Sequence, residues 1–315
     1  MKPFRPQRWL RNPHLQTLLP RMLPLPELQT DPERFYLRDG DFVDLAWHDP
    51  NPQQPLLVVF HGLAGCEYSP YIRNLFSEAA GRGVSVVLMH FRGCSGEPNL
   101  KPRSYHSGET GDASELLRML TKRFPGRVLW GLGFSLGGNM LLKLLGEREE
   151  ALLLDSAAAV CAPLELAASA RKMRRGFSQV YQHYLIGLLK RAYQQKAVAV
   201  AMPGGIPRKP LTECRDFFDY DDAVTAPLHG FRNVHDYYLQ ASSGPWLQHI
   251  KCPTLLLQAE DDPMVPHRSL IQYRLSDAIE LEVSRYGGHI GFMEYREGRF
   301  RQWLAPALFS WFLSR

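Results

Sequence analysis

Cysteine is scarce: Cys66, Cys94, Cys161, Cys214 and Cys252 are the only five among 315 residues, and no two form a C-x-x-C pair. An odd, scattered set excludes a disulfide framework and a thiolate zinc cluster, and it fits a reducing compartment. Long apolar runs are missing too. A bilayer span needs about 20 nearly uncharged residues, whereas the longest apolar stretch, Ala151 to Ala170, is broken by Asp155, Pro163 and Glu165. The N-terminus carries Arg5, Pro6, Arg8 and Arg11 where a secretory signal needs an unbroken apolar core. The expectation is a soluble, cytoplasmic protein. No P-loop, G-x-G-x-x-G or cluster of metal-ligating residues occurs, so neither cofactor nor metal is implied. The net charge of +5 is mild, and no Lys/Arg block dominates as a nucleic-acid footprint would. The densest basic run, Arg171-Lys172-Met173-Arg174-Arg175, reads either as a solvated helix face or as a peripheral contact with lipid headgroups.

What is present is a chain of strands alternating with helices, without internal repeats. An apolar fraction of 45% against 22% charged residues suits a globular chain. The length fits one domain over 1–315, with a core of about 230 residues and an insertion of about 80. Residues 34–38 and 42–47 flank the turn signal Asp39-Gly40-Asp41 and predict an antiparallel hairpin. Continuous apolar runs at 56–60, 84–89, 128–132, 156–161 and 254–258 predict strands buried on both faces, and 279–284 adds an alternating one. Apolar residues three and four apart predict helices over 71–82, 110–123 and 136–147. A closing helix over 300–313 should start late or kink at Pro306. The eight strands form a mostly parallel sheet with helices on both faces. Between 163 and 249 the alternation stops, and basic, Tyr-rich helical pieces predict a helical cap inserted over the carboxyl ends of the strands.

Chemistry is concentrated in loops after strands. Gly133-Phe134-Ser135-Leu136-Gly137 matches G-x-S-x-G. This pattern exposes a serine oxygen on a sharp strand-to-helix turn, with glycines that let two backbones cross. Chance produces it in roughly one chain in eight of this length, but the strand before it and the apolar helix after it supply the required context. Such a serine needs a base, and the base an orienting carboxylate, in the chain order Ser, acid, His. Asp262 lies just past the strand at 254–258 and is the favoured acid, with Asp261 and Glu260 as rivals. Of the two later histidines, His267 sits too close to Asp262, while His289 follows two glycines in a loop after the last strand and is the expected base. The amides of Leu63, in His61-Gly62-Leu63-Ala64-Gly65, and of Leu136 are the expected oxyanion donors. His61 precedes the serine and reads as a structural hydrogen-bonding residue rather than a base. Arg92 reads as a turn-stabilising residue, the alternative being a clamp for a substrate carboxylate. Cys66 and Cys94 are candidates to line the mouth, with no neighbour that would make either a nucleophile.

The chain resembles the α/β-hydrolase-domain family that contains the YheT-like bacterial hydrolases, yeast medium-chain ester synthases and mammalian lipid hydrolases. The marks, spread over nearly the whole chain, begin with Asn12-Pro13-His14-Leu15-Gln16-Thr17, His61-Gly62-Leu63, Phe91 to Gly96 and Tyr105 to Gly108. The Ser135 turn, Asp261-Asp262-Pro263 and Gly288-His289-Ile290-Gly291-Phe292 complete them. The resemblance implies the α/β-hydrolase fold and a serine carboxylesterase acting on short- to medium-chain acyl esters, with Ser135, Asp262 and His289 as its relay. It also implies that 216–220 and Tyr237-Tyr238 belong to the cap. Eukaryotic relatives carry an N-terminal membrane anchor, which this chain is expected to lack. Acyl transfer to an alcohol is the alternative within enzymology; outside it, a non-catalytic binding protein on the same fold. The partner expected in the main reading is a small-molecule ester, with no nucleic acid.

Overall fold

The computed structural model describes residues 3–49, 51–147 and 153–315. Eight strands form one sheet in the order β1-β2-β4-β3-β5-β6-β7-β8: β1 (Asp31–Tyr36), β2 (Phe42–His48), β3 (Leu56–Phe60), β4 (Ser85–Met89), β5 (Leu129–Phe134), β6 (Ser156–Val160), β7 (Thr254–Ala259) and β8 (Ile279–Ser284). Only β2 runs against the others. Every residue of β3 through β7 is buried, because helices cover both faces. Leu56, Val58 and Phe60 face one layer, built from α3 (Gly111–Arg123) and α4 (Leu136–Glu147). Leu57 and Val59 face the other, built from α2 (Pro70–Arg82) and α10 (Leu304–Phe312). Of the long apolar stretch, Ala151 and Leu152 lie outside the described residues; the rest becomes β6 and the start of a helix.

The expected strands and helices appear with ends shifted by a few residues at most, except at the C-terminus. There the helix starts at Leu304, and Phe300 belongs to a second, two-stranded sheet of β9 (Met293–Arg296) and β10 (Arg299–Gln302). Glu297 and Gly298, both at positive φ, make the tight turn that joins them. Pro306 falls within the first turn of α10, where its missing N–H costs nothing.

Between β6 and β7 lie α5 (Leu166–Met173), α6 (Ser178–Ala199), α7 (Phe217–Tyr220), a π-turn over Asp221–Thr225, α8 (Ala226–Leu228) and α9 (Val234–Ala241). Residues 216–220 and Tyr237-Tyr238 fall within this insertion. It has small apolar cores of its own and is fastened to the sheet layer by polar bonds. Asn139 of α4 donates to the carbonyls of Ser107 and Ala241 (both 2.8 Å) and accepts from the Ser243 amide. Lys196 of α6 is buried against Asn99 Oδ1 at 2.8 Å and Ser104 Oγ at 2.9 Å. Short α1 (Pro13–Leu18), capped by Asn12, precedes the sheet. No helix among the described residues is long and apolar enough to cross a membrane.

One close approach fixes where α4 leaves the sheet. A Cβ at Gly137 would stand 2.3 Å from the Phe60 carbonyl oxygen and 2.5 Å from that of His61. Both neighbours are backbone and cannot yield. Gly137→Ala should therefore lower unfolding stability by about 2–4 kcal/mol in urea titrations. Gly81→Ala, in open space near the end of α2, should be neutral or stabilising by up to about 1 kcal/mol. An equal response at the two sites would refute the packing argument.

Candidate active site

β5 delivers Ser135 into a left-handed turn, φ +50°, a conformation costly for a non-glycine residue and held only when its surroundings enforce it. They do: the Ser135 amide donates to the Val160 carbonyl at 2.8 Å, and the Asn139 amide donates back to the Ser135 carbonyl at 3.0 Å. Asp262 follows β7. Its Oδ1 accepts from the amides of Met264 (2.7 Å) and Val265 (3.0 Å), which leaves Oδ2 for an outside donor. His289 follows β8, with Nδ1 2.8 Å from Asp262 Oδ2 and Nε2 2.9 Å from Ser135 Oγ. The carboxylate thus fixes the proton on Nδ1 and leaves Nε2 as an acceptor facing the hydroxyl. Asp262 is sealed from solvent, and the imidazole is 10% exposed.

Three strand ends, 154 residues apart at the extremes, converge here. The loop His61 to Gly65 borders the same point, since a Cβ on Gly62 would lie 3.4 Å from Ser135 Cβ. Gly62 N–H donates to Tyr71 and Ala64 N–H to Tyr105, each at 2.9 Å. Among the described residues, the amides of Leu63 and of Leu136, which opens α4, have no hydrogen-bond partner.

The rival residues are occupied elsewhere. Asp261 Oδ1 accepts from the Gly288 amide at 2.9 Å, and its buried Oδ2 has no partner. Burial pushes this carboxyl up to about 6. His267 sits outside, its Nδ1 3.1 Å from the Glu260 carbonyl. His61 is buried: Nε2 accepts from Phe91 N–H at 3.1 Å, so Nδ1 donates to Gly62 O at 2.7 Å, and burial lowers its pKa to about 3. Arg92 is buried and enclosed by Asp112, Asp39 and Asp41 at 2.7–2.8 Å, which take four of its five N–H donors, so it stabilises its own turn rather than facing a substrate carboxylate. The Cys94 thiol is pushed up to about 12 by burial, far from thiolate chemistry. Cys161, Asp262 and His289 offer donor atoms within 4.8 Å of one another. Yet Asp262 and His289 already bond each other, and burial raises the Cys161 thiol well above its ordinary value, so the trio is a poor metal cage.

Sequence reasoning gave no role to Gln16 and Thr17, although they lie in the Asn12 to Thr17 motif. In the fold, α1 clasps the histidine loop. Thr17 Oγ1 accepts from the His289 amide at 3.0 Å and donates to Pro13 O at 2.7 Å. The buried Gln16 side chain donates to the carbonyls of Leu10 and Met293 and accepts from the Met293 amide. The clasp is tight enough that a Cβ on Gly288 (φ +56°) would meet Pro13 O at 2.5 Å.

With this geometry, the comparisons with known proteins are consistent. The family model described as alpha/beta hydrolase fold matches residues 55–295. The chain belongs to the α/β-hydrolase family. It is 43% identical to YheT of Escherichia coli (strain K12) over 98% of this chain and 92% of that one. It is 30% identical to medium-chain fatty acid ethyl ester synthase/esterase 2 of Saccharomyces cerevisiae, over 85% of this chain and 63% of the yeast protein. The Pyrococcus furiosus esterase Pf2001 superposes with a TM-score of 0.56 at 16% identity, covering 92% and 90% of the two chains; that likeness concerns the fold alone. The protein is a hydrolase.

Two outcomes follow from the supports of this α/β-hydrolase site. Thr17→Val should lower kcat by about 10- to 100-fold with KM little changed, because His289 loses its fixed height. Thr17→Ser should restore turnover; a full loss in both variants would point to a folding defect instead. Asp261 binds its proton more tightly folded (about 6) than unfolded (3.8). Its charge therefore costs stability increasingly as pH rises from about 4 to about 6, and fully above that. Asp261→Asn keeps an acceptor for Gly288, so thermal unfolding should show it at least as stable as wild type at pH 8, with the advantage shrinking toward pH 4. A pH-independent difference would contradict the assignment.

Proposed function

We propose that this protein is a serine carboxylesterase that cleaves short- to medium-chain acyl esters through an acyl-enzyme. One observation carries the reading: the unbroken chain from Asp262 Oδ2 through His289 to Ser135 Oγ, at 2.8 and 2.9 Å. In the proposed cycle, His289 Nε2 takes the Ser135 proton as Oγ attacks the ester carbonyl. The free amides of Leu63 and Leu136 receive the oxyanion, which such donors stabilise by several kcal/mol, about 3–4 for a single one. Collapse expels the alcohol with a proton from His289. Water, deprotonated by the same imidazole, then releases the acid. Asp262 supports the imidazolium through its bond to Nδ1. The helices of 163–249 serve as a cap, with α5 and α6 roofing the Asp262 loop: Lys172 donates to the carbonyl of Asp262, and Ser178 to that of Pro263 at 2.6 Å. Five free thiols support a cytoplasmic location.

Acyl transfer to an alcohol uses the same residues, and the yeast relative's name combines synthase and esterase; product analysis with ethanol competing against water separates the two. Turnover of p-nitrophenyl esters from acetate to palmitate should peak among the short and medium chains. Ser135→Ala should abolish it, and Asp262→Asn should lower kcat by about 10³- to 10⁴-fold, while Asp261→Asn keeps most of it. Retained hydrolysis in Ser135→Ala would refute the mechanism.

A further inference from the structure

Two segments of the chain contain no acidic residue at all. Residues 1–26 hold five Lys/Arg and residues 166–212 hold nine. The remainder, with 23 basic and 32 acidic residues, carries a formal charge of −9 against the +14 of these two segments. Far apart in sequence, they meet in the fold. His14 Nδ1 lies 3.0 Å from the Tyr181 hydroxyl, and its ring packs 4.5 Å from that of Phe177. Arg21 donates to the Tyr184 hydroxyl at 3.3 Å and lies over that ring at 5.5 Å.

The seam between them is greasy on its outer side. Phe177, Val180 and Tyr184, spaced as one stripe at the start of α6, are 49%, 56% and 47% exposed, and Met22 beside Arg21 is 76% exposed. A stripe with this spacing ordinarily turns inward; here it faces out, and Ser178, Tyr181, Gln182 and Ile186 are the buried residues of this part of α6. Arg171 and Arg174 are paired with Glu165 and Asp216. Among the described residues, the exposed Arg8, Arg21 and Arg175 have no carboxylate partner. The same seam adjoins the reacting groups, through Ser178 on the Asp262 loop and Thr17 on the His289 amide.

We propose that this seam docks on the surface of an anionic phospholipid bilayer. Met22, Phe177, Val180 and Tyr184 enter the headgroup boundary, and Arg21 and Arg175 meet lipid phosphates. Protruding aliphatic side chains among cations are what an interfacial surface needs, whereas a nucleic-acid surface is polar as well as basic. Delivery of a membrane-borne ester to Ser135 rests on the esterase reading; the docking does not.

The test is co-sedimentation of the full chain with vesicles of phosphatidylcholine alone or with one third phosphatidylglycerol. Binding should be at least about tenfold stronger to the anionic vesicles and weaken at high salt. Met22→Glu/Val180→Glu, both at exposed positions, should reduce it by at least about tenfold while the Tm stays within about 2 °C of wild type. Ser135→Ala should bind as wild type does. Failure to bind, equal binding to both vesicle types, or undiminished binding by the double variant would overturn the proposal. So would displacement by a short DNA duplex that the double variant binds as tightly as wild type. A chain that binds anionic vesicles but cleaves no ester would sink the esterase reading and leave docking standing; the reverse pattern would sink docking alone.

Discussion

The helix that follows β5 can leave the sheet in only one way, because its second residue, Gly137, lies with its backbone against the carbonyls of Phe60 and His61. That contact forces the intervening residue, Ser135, into a left-handed turn and lifts its hydroxyl above the sheet edge. It also ties the turn to the loop after β3, so that the amides of Leu63 and Leu136 are set by the same packing that sets the serine. Parallel strands then bring the ends of β7 and β8 to this edge, and with them Asp262 and His289. The site is therefore a consequence of sheet direction plus one glycine contact, and its rigidity comes from backbone rather than from long side chains.

The histidine loop is the exception. It contains residues at positive φ on both sides of His289, among them Gly288, Ile290 and Phe292, and is not itself part of a helix or strand. Its support comes from α1, which reaches it through Thr17 and Gln16, and from Asp261, which holds the Gly288 amide. A carboxylate buried with one bare oxygen is an expensive support. Its retention is reasonable if the height of the imidazole matters more than a fraction of the folding energy. The N-terminal segment thus connects the imidazole on one side with α6 of the insertion on the other.

Much of this was legible in the sequence, and the reasons differ by residue. Leu56–Phe60 announced its own ends, because a buried strand between turns leaves sharp composition edges, and Ile279–Ser284, an edge strand with only Ser284 buried, was marked by its alternation. Ser135 and His289 were marked by the glycines that their turns require, and Asp262 by its place after a buried strand. The C-terminal hairpin was not legible: Phe300 fits the helical spacing of the apolar residues that follow, and only the Glu297-Gly298 turn distinguishes the two. The burden on Thr17 could not be read either, since it depends on a partner 272 residues away. The enclosure of Arg92 was hidden for the same reason, its carboxylates being scattered over Asp39, Asp41 and Asp112.

The central claim is that Ser135 Oγ is made nucleophilic by His289 at neutral pH. Reaction with a fluorophosphonate followed by tryptic mapping tests it most directly, because the peptide from Val128 to Lys143 contains Ser135 as its only hydroxyl-bearing residue. The account predicts one adduct per chain, confined to that peptide, and none after replacement of His289 by Ala. An adduct elsewhere, or an unlabelled chain that still hydrolyses esters, would contradict it.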